Sequence, residues 1–418
     1  MFNFNLIKKV KRTFFPFYKN SDLNYVFKKL QEDFSNQDKT AMFVGGCVRK
    51  YLFNEEIDDI DIATTLTVDQ IKEKFKDTKF RAIDTGIEHG TVTLIFKELK
   101  LELTTLRKDI KTDGRHAEIE YTDNWHEDSN RRDFTINAIY LDTKGKIFDP
   151  QLGVADLKKN NIRFIGDPYK RIEEDHLRII RYIRFSLQYE SEPDPETIKA
   201  IKLNINRIKK ISKERILSEL FKIINLKNFL ILDNNISLKE IFLLVFPEFK
   251  YLYRLRKLNK IPHQSQFDNT TLLAILLVDE ENNHEYFSHK YNISNNLKEN
   301  MNLLAKNFIH LQRNKNFLQK ELKKNIFYFG KKHLNNLNIL NFLCNKNNKL
   351  EEFLNNSRII GKSTIPKFPF DGNFLKKEGI DEGTAVGKTL KLLEVEWLNN
   401  DFKISDKKVS KIINDQAN

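Results

Sequence analysis

The sequence predicts an α+β protein, with strands confined to the front third and helices throughout the rear. Short strand-like runs, "AMFV", "DIDIAT", "TVTLIF", "KLELTTL", "FTINAIYLD" and "KIFD", many of them alternating, fall between residues 41 and 148 with helix-like segments between them, the pattern of a mixed sheet flanked by helices. From about Asp156 the strand signals fade, and apolar residues recur at three- and four-residue spacing, as in "ILSELFKIINLKNFLIL" and "LQKELKKNIFYF". A chain of 418 residues with 40% apolar content can bury more than one core. The Pro- and Gly-containing turn "DPQLGVADL" marks the change from front to rear, and "GKSTIPKFPFDG" at 361–372 marks a last linker. The expected division is an arm at 1–25, a mixed head at 26–150, a helical neck at 151–225, a helical body at 226–360 and a helical tail at 361–418.

Several classes are excluded early. Only two cysteines occur, Cys47 and Cys344, so neither a disulfide framework nor a Cys-based zinc site is expected, and a reducing compartment such as the cytoplasm follows. The best apolar run, "LLAILLV" at 272–278, falls well short of the ~18 residues of a membrane helix. The first twenty residues hold no acid and mix Lys with Phe, which reads as a basic, partly ordered arm, with a membrane-surface or targeting helix as the other reading. Net charge is +13, and residues 201–360 hold 27 Lys and Arg against 14 Asp and Glu, while the remainder balances. A basic face on helices suits a polyanion such as RNA, although a Lys/Asn-rich composition with no partner is the other reading.

The chemistry sits in "VGGCVRKYLFNEEIDDIDIAT", residues 44–64. "AMFV" is a strand; Gly45 and Gly46 form a tight turn that lets backbone N–H groups approach a ligand closely. The helix that follows begins about Cys47, and its N-terminus with Arg49 on the first turn favours an anion. On the next strand Asp59 and Asp61 share one face, roughly 7 Å apart, with Ile60 and Ile62 on the other. Two such carboxylates repel unless something positive lies between them, and a hard cation with oxygen ligands resolves the repulsion. In "KLELTTLR", Leu99, Leu101 and Leu103 form an apolar face that sets Glu102 opposite, a third carboxylate for a two-metal phosphoryl-transfer site. A solvated polar strand face is the alternative for the pair alone.

Taken together, "GGCVRKYLFNEEIDDIDIAT", "ELTTLR", "DGRHA", "EDSNRRDFTINAIYLD" and "EEDHLRIIRYIRF" resemble the ordered motifs of the class II tRNA nucleotidyltransferases, the CCA-adding enzymes, and of the related bacterial poly(A) polymerases. The similarity runs from about residue 40 to 225, and "DGNFLKKEGIDEGTAVGKTLKLLEVEWL" is similar to the terminal segment of some bacterial CCA-adding enzymes. The resemblance implies a nucleotidyltransferase head followed by an all-α neck, body and tail. It implies Mg²⁺ on Asp59 and Asp61, with Glu102 as the further catalytic carboxylate. Arg132 would touch the nucleotide phosphates or sugar, while Asp133 and Asn137 would fix the sugar and the local strand–helix junction. Asp175, Arg178, Arg181 and Arg184 recur every three residues and so share a helix face, where stacked arginines repel unless a triphosphate or base relieves them; a generic salt-bridged helix is the alternative. The family reading makes Asp175 and Arg178, with Glu174 nearby, a protein template for the Watson–Crick edge of cytosine or adenine. Arg181 and Arg184 would hold the nucleotide or fasten the helix to the head. Asp113, Gly114 and Arg115 would belong to a flexible loop that helps switch selection from CTP to ATP.

The implied activity is template-independent addition of CCA to the 3′ end of tRNA from CTP and ATP, releasing pyrophosphate, with the basic helices holding the tRNA acceptor end. Poly(A) addition to RNA, or partial CC or A addition, uses the same chemistry, and a non-catalytic RNA-binding relative would have lost a metal carboxylate or the arginine stripe. No membrane and no obligate protein partner is expected. Two departures stand out. Lys50 replaces the acid common after "VR", removing one possible salt bridge, and the absence of a His-Asp dipeptide argues against the extra phosphohydrolase domain of some relatives.

Overall fold

A computed structural model describes residues 16–35, 39–86, 90–113, 116–261, 267–279, 281–314, 317–345, 347–380 and 383–417. The chain divides into two compact units, residues 1–255 and 256–418. Residues 1–15 of the expected basic arm lie outside the described residues. The remainder of that arm runs straight into helix α1 (Ser21–Gln31), capped by the Asn20 side chain and seated on the head through Leu23, Val26 and Leu30.

The first unit begins with β1 (Ala41–Val44), α2 (Gly46–Leu52), β2 (Ile60–Thr64) and α3 (Val68–Phe75), the last started by a capping box between Thr67 and Gln70. Strands β3 (Arg81–Gly86), β4 (Thr91–Phe96) and β5 (Leu99–Thr105) form an antiparallel meander. Helix α4 (Trp125–Asn130) then precedes the short strands β6 (Tyr140–Leu141) and β7 (Ile147–Phe148). The seven strands form one sheet in the order β3-β4-β5-β2-β1-β6-β7, with β2 and β5 parallel and every other pair antiparallel. In "FTINAIYLD" only Tyr140 and Leu141 are strand; Thr135–Asn137 is a 3-10 turn.

The segment read as a flexible loop is largely a second, two-stranded sheet. Residues Arg107–Asp113 pair with His116–Tyr121, register Arg107 with Tyr121 and Asp113 with His116. "KDI" and "EIEY" carry enough β-branched and aromatic residues to pair once a turn folds them back. Gly114 and Arg115 lie outside the described residues.

Helices complete the unit: α5 (Gly153–Lys158), α6 (Pro168–Glu174), α7 (Leu177–Gln188), α8 (Pro195–Asn204), α9 (Lys213–Ile224) and α10 (Ile236–Val245). Both α6 and α8 start at Asp-Pro, an N-cap acid followed by proline where no N–H is needed. Strands and helices are joined without a gap at the expected boundary near 150. Thr135 N–H donates to Arg163 O at 3.0 Å, Ile165 N–H donates to Asp133 O at 3.1 Å, and Phe134 forms an isolated bridge with Phe164. Phe134, Phe164, Tyr182 and Phe185 pack ring on ring in one buried cluster. Gly153 is required at the turn between them, since a Cβ there would lie 2.1 Å from Thr135 O.

The second unit is all-helical among its described residues: α11 (Asn269–Leu277), α12 (Asn283–Tyr291), α13 (Asn295–Arg313), α14 (Leu322–Cys344), α15 (Leu350–Lys362), α16 (Gly372–Lys377), α17 (Thr384–Asn399) and α18 (Asp406–Ala417). "LLAILLV" is a core segment, with Leu272–Leu277 of α11 and Val278 all buried, and no helix among the described residues is long and apolar enough to cross a membrane. Helix α14 breaks at Gly330, whose φ of 77° only glycine adopts readily. The segment read as a linker is tied down: Phe368 and Phe370 pack against the Leu375, Ile380, Leu393, Val409 and Ile413 cluster.

Replacing Gly153 by valine drives a side chain into the Thr135 carbonyl, and overpacking of this kind costs ~1–3 kcal/mol. The expected outcome is a lower thermal midpoint by calorimetry, whereas an unchanged midpoint would show that the junction at 135 and 153 yields freely.

Candidate active site

A cavity of about 770 Å³ opens in the first unit, and its wall draws on both the sheet and the helices. Gly45, Gly46, Arg49, Asp59, Asp61, Arg132, Asp133, Asn137, Asp175, Arg178, Arg181 and Arg184, all singled out in the sequence, line it. The diglycine turn is where the strand becomes a helix: Gly45, at φ 69°, is the N-cap of α2. A Cβ on Gly45 would lie 3.8 Å from Asp61 Oδ2 and 4.0 Å from Arg132 Nη1, so the turn, the acid and the arginine meet at one point.

Asp61 is on β2, while Asp59 precedes the strand and is exposed. The burial along β2 places Ile62 inward, with Ile60 half-buried. Parallel pairing sets Glu102 opposite Asp61 on β5, with Leu101 and Leu103 buried as the alternation predicts. Glu102 nevertheless does not line the cavity: its carboxylate accepts from Lys100 Nζ at 3.1 Å. No group of three or more His, Cys, Asp or Glu side chains among the described residues is gathered for a metal. The third-carboxylate expectation is therefore met in register and not in the wall.

Burial pushes the Asp61 carboxyl up to about 6, helped by the charges of Glu102 and Asp59 and opposed by Arg132 and Arg49. Neither the Asp59 nor the Asp61 side chain makes a hydrogen bond or ion pair with another described residue. Two neighbouring acids without a hydrogen-bond or ion-pair partner among the described residues fit a hard divalent cation with oxygen ligands. Behind them Cys47 is inert, its thiol pushed up to about 12 by burial and then by the Asp61 charge.

The arginines are in the opposite condition. Asp128, wholly buried, accepts from Arg131 Nε at 2.8 Å, Arg132 Nη2 at 2.9 Å and the Tyr140 hydroxyl at 2.7 Å. Burial pushes its carboxyl up, and the two guanidiniums and the hydroxyl outweigh this and hold it well below the carboxylate range. Arg49 is buried: its Nε donates to Tyr189 Oη at 2.8 Å, its Nη1 donates to Asn137 Oδ1, and its guanidinium lies over the Phe185 ring. Asn137 Nδ2 in turn donates to Asp133 Oδ1 at 2.8 Å, and Arg181 Nε donates to Asp133 Oδ2 at 2.7 Å. Burial pushes Asp133 up, and Arg181, the Asn137 amide and Arg178 hold it well below its ordinary value.

The helix-face expectation for the 175–184 stripe needs correction. Asp175 precedes α7, in extended backbone that ends α6. The three arginines that follow do not await a ligand to relieve repulsion, because each has a carboxylate: Arg178 with Glu174, Arg181 with Asp133, and Arg184 with Glu219 at 2.7 Å. Glu174 is spent on Arg171 and Arg178 and is absent from the cavity wall. Lys50 also finds a carboxylate, at Asp58, so its departure from the acid costs no ion pair locally.

Glu219, 3% exposed, was not anticipated. The signal was present, since it occupies an apolar position of α9 between Ile216, Leu220 and Ile223. Asp128 was equally legible, standing three and four residues before two arginines. Phe185, Gln188 and Lys222, which complete the helical wall, carried no signal of their own.

The fold and this wall define a class first. Residues 41–163 match the family described as Poly A polymerase head domain, and residues 192–252 match the Probable RNA and SrmB- binding site of polymerase A. A CCA-adding enzyme of Staphylococcus haemolyticus is 32% identical over 325 residues, 77% of this chain and 78% of that protein. The chain belongs to the CCA-adding enzyme family. The human mitochondrial CCA tRNA nucleotidyltransferase 1 is 45% identical over 201 residues, so that the match spans 47% of this chain and 46% of that relative's length, just under half. A crystal structure of the Bacillus stearothermophilus CCA-adding enzyme in complex with CTP shares the fold, with a TM-score of 0.70 and 21% identity over 94% of this chain and 96% of that one.

Removing one partner of a buried ion pair costs ~3–5 kcal/mol. Asp133→Asn and Arg181→Met should each lower chemical-denaturation stability by that order, and the double variant by clearly less than the sum; strict additivity would deny the coupling. Asp128, Asp133 and Glu219 all have folded values depressed below their unfolded ones. Their contribution is complete above about pH 4–5 and is lost as pH falls through the folded values. Melting curves at falling pH should therefore show progressive destabilisation below about pH 4, and a flat profile there would contradict the assignment.

Proposed function

We propose that this chain adds C, C and A to the 3′ end of tRNA from CTP and ATP, releasing pyrophosphate. The observation that carries the reading is the cavity wall, in which two unneutralised acids adjoin a diglycine turn and Arg132 while Asp175 and Arg178 stand in the same cavity. The names of its relatives, matched over three quarters of the chain in the Staphylococcus case, support it further.

In this reading Asp59 and Asp61 hold a divalent cation, Mg²⁺ by the hardness of the ligands. Bound there, the ion supplies charge that acidifies the primer hydroxyl and steadies the triphosphate. The N–H groups of the Gly45–Gly46 turn and Arg132 orient the phosphates. The terminal ribose oxygen of the primer attacks the α-phosphorus, the bond to the bridging oxygen breaks, and pyrophosphate departs. Asp133 and Asn137 fix the junction, Arg49 and Arg181 fasten helix to head, and Arg184 fastens α7 to α9. Asp175 and Arg178, with Glu174 bracing Arg178, present an acceptor and donors to the base edge. Glu102 acts at a distance through its charge on Asp61. The paired segments Arg107–Asp113 and His116–Tyr121, with Asp113, Gly114 and Arg115 as the expected selection residues, are the element that would adjust between CTP and ATP. The basic helices within 201–360 take the tRNA acceptor end by its phosphates and shape. Head and neck lie within the first compact unit, and the body at 226–360 spans the boundary between residues 255 and 256; the compartment is the cytoplasm, supported by two cysteines that form no disulfide.

Purified protein, Mg²⁺ and a tRNA trimmed at its discriminator base should yield products that stop after C, C and A when CTP and ATP are both present. A long A tail from ATP alone would make it a poly(A) polymerase, and arrest after CC or addition of A only would make it a partial enzyme. Asp59→Ala and Asp61→Ala should each abolish extension, by about 10³-fold or more in rate, with tRNA still retained in a gel shift; extension that survives would remove the metal assignment.

A further inference from the structure

A second charged row faces the first. On α9, Arg215, Glu219 and Lys222 are spaced by four and three residues, as residues on one helix face are. Glu219 meets Arg184 at 2.7 Å, Lys222 at 2.9 Å and Arg181 at 3.8 Å. One turn earlier, Arg215 Nη2 lies 2.7 Å from Asp175 Oδ2. The other Asp175 oxygen, Oδ1, accepts the Leu177 backbone N–H at 3.1 Å. The carboxylate in the cavity wall is thus held at both oxygens, by the helix it precedes and by α9. It needs that hold, because Asp175 sits in extended backbone between α6 and α7, at φ −150° and ψ 107°, where no helical turn packs its side chain in place.

We propose that Arg215 is a positioning residue for base selection, holding the Asp175 carboxylate in one orientation with its open acceptor sites turned toward the cavity. This rests on the reading above, in which Asp175 meets the base edge. An ionised carboxylate offers about four lone-pair sites, and Leu177 and Arg215 occupy two. The remaining sites accept the exocyclic amino group at C4 of cytosine or C6 of adenine, positions at which uracil and guanine carry a carbonyl oxygen. A carboxylate freed from its guanidinium could rotate and turn its open acceptor sites away from the base edge. Arg215 prevents that rotation, so its contribution is to discrimination more than to the chemical step.

The test measures kcat and KM for CTP, ATP, UTP and GTP on the trimmed tRNA, with wild type, Arg215→Ala and Arg215→Lys, and with melting curves for all three. Loss of a charge-assisted bond that orients Asp175 should cut the preference for CTP over UTP by about 10–100-fold in Arg215→Ala, chiefly through KM for CTP. Arg215→Lys, a point charge without the planar fork, should fall between, and added guanidinium ion should restore part of the preference to the alanine variant. Discrimination equal to wild type would overturn the proposal, as would an equal fall in kcat for all four nucleotides, which marks a merely structural role. A variant too unstable to assay leaves Arg215→Lys to decide by the same ratio. Wild type that adds no nucleotide would overturn the underlying reading itself, a result separable from any outcome in the variants.

Discussion

Asp133 receives the Phe134 N–H and the Asn137 amide on one oxygen and the Arg181 guanidinium on the other, and the cavity has its shape because all three bonds are made. Through Asn137 the chain of contacts reaches Arg49 and Tyr189; through Arg181 it reaches Glu219, Arg184 and Lys222. Sheet and helices are thereby locked across a polar seam, beside the aromatic packing of Phe134, Phe164, Tyr182 and Phe185. Buried charge is costly to assemble, and its merit here is directional: hydrophobic burial alone would leave the rotation of α7 against the head loosely set.

The electrostatics of the wall are lopsided in a useful way. Six arginines border it, and the protein supplies acids or amides to Arg49, Arg131, Arg132, Arg178, Arg181 and Arg184. Asp59 and Asp61 receive no such partner among the described residues. In the proposed function a cation on this pair would let a triphosphate approach without repulsion from the acids. In the same proposed function, arginines already committed to carboxylates would meet a phosphate by sharing rather than by neutralising bare charge, which would permit release after reaction.

Much of this was readable before any coordinates. The diglycine turn, the alternating acids and the 132–137 and 175–184 runs are local patterns, and twelve of the residues they supplied line one cavity. Partner identity was not readable. Asp128 lies within a helix turn of its arginines, yet Glu219, Asp133 and Arg215 pair with side chains 35 to 48 positions away, and periodicity carries no information about such distances. The stripe of arginines illustrates the error this invites: read alone it is a repulsive row, while in the fold each member is matched. The pairing within 107–121 was missed for another reason, since an Asp-Gly dipeptide in sequence does not tell whether the residues flanking it pair. Glu102 was placed on the right strand face, and a lysine two residues away on the same strand took its carboxylate.

The backbone bridge between Phe134 and Phe164 has a consequence for how the molecule can be taken apart. Strands cease near residue 150, yet a fragment ending there would strip the 133–135 segment of its main-chain partners at 163–165 and bare one ring of a four-ring stack. Secondary structure changes at that point without offering a seam, so excision, permutation or grafting of the catalytic lobe must carry α7 with it.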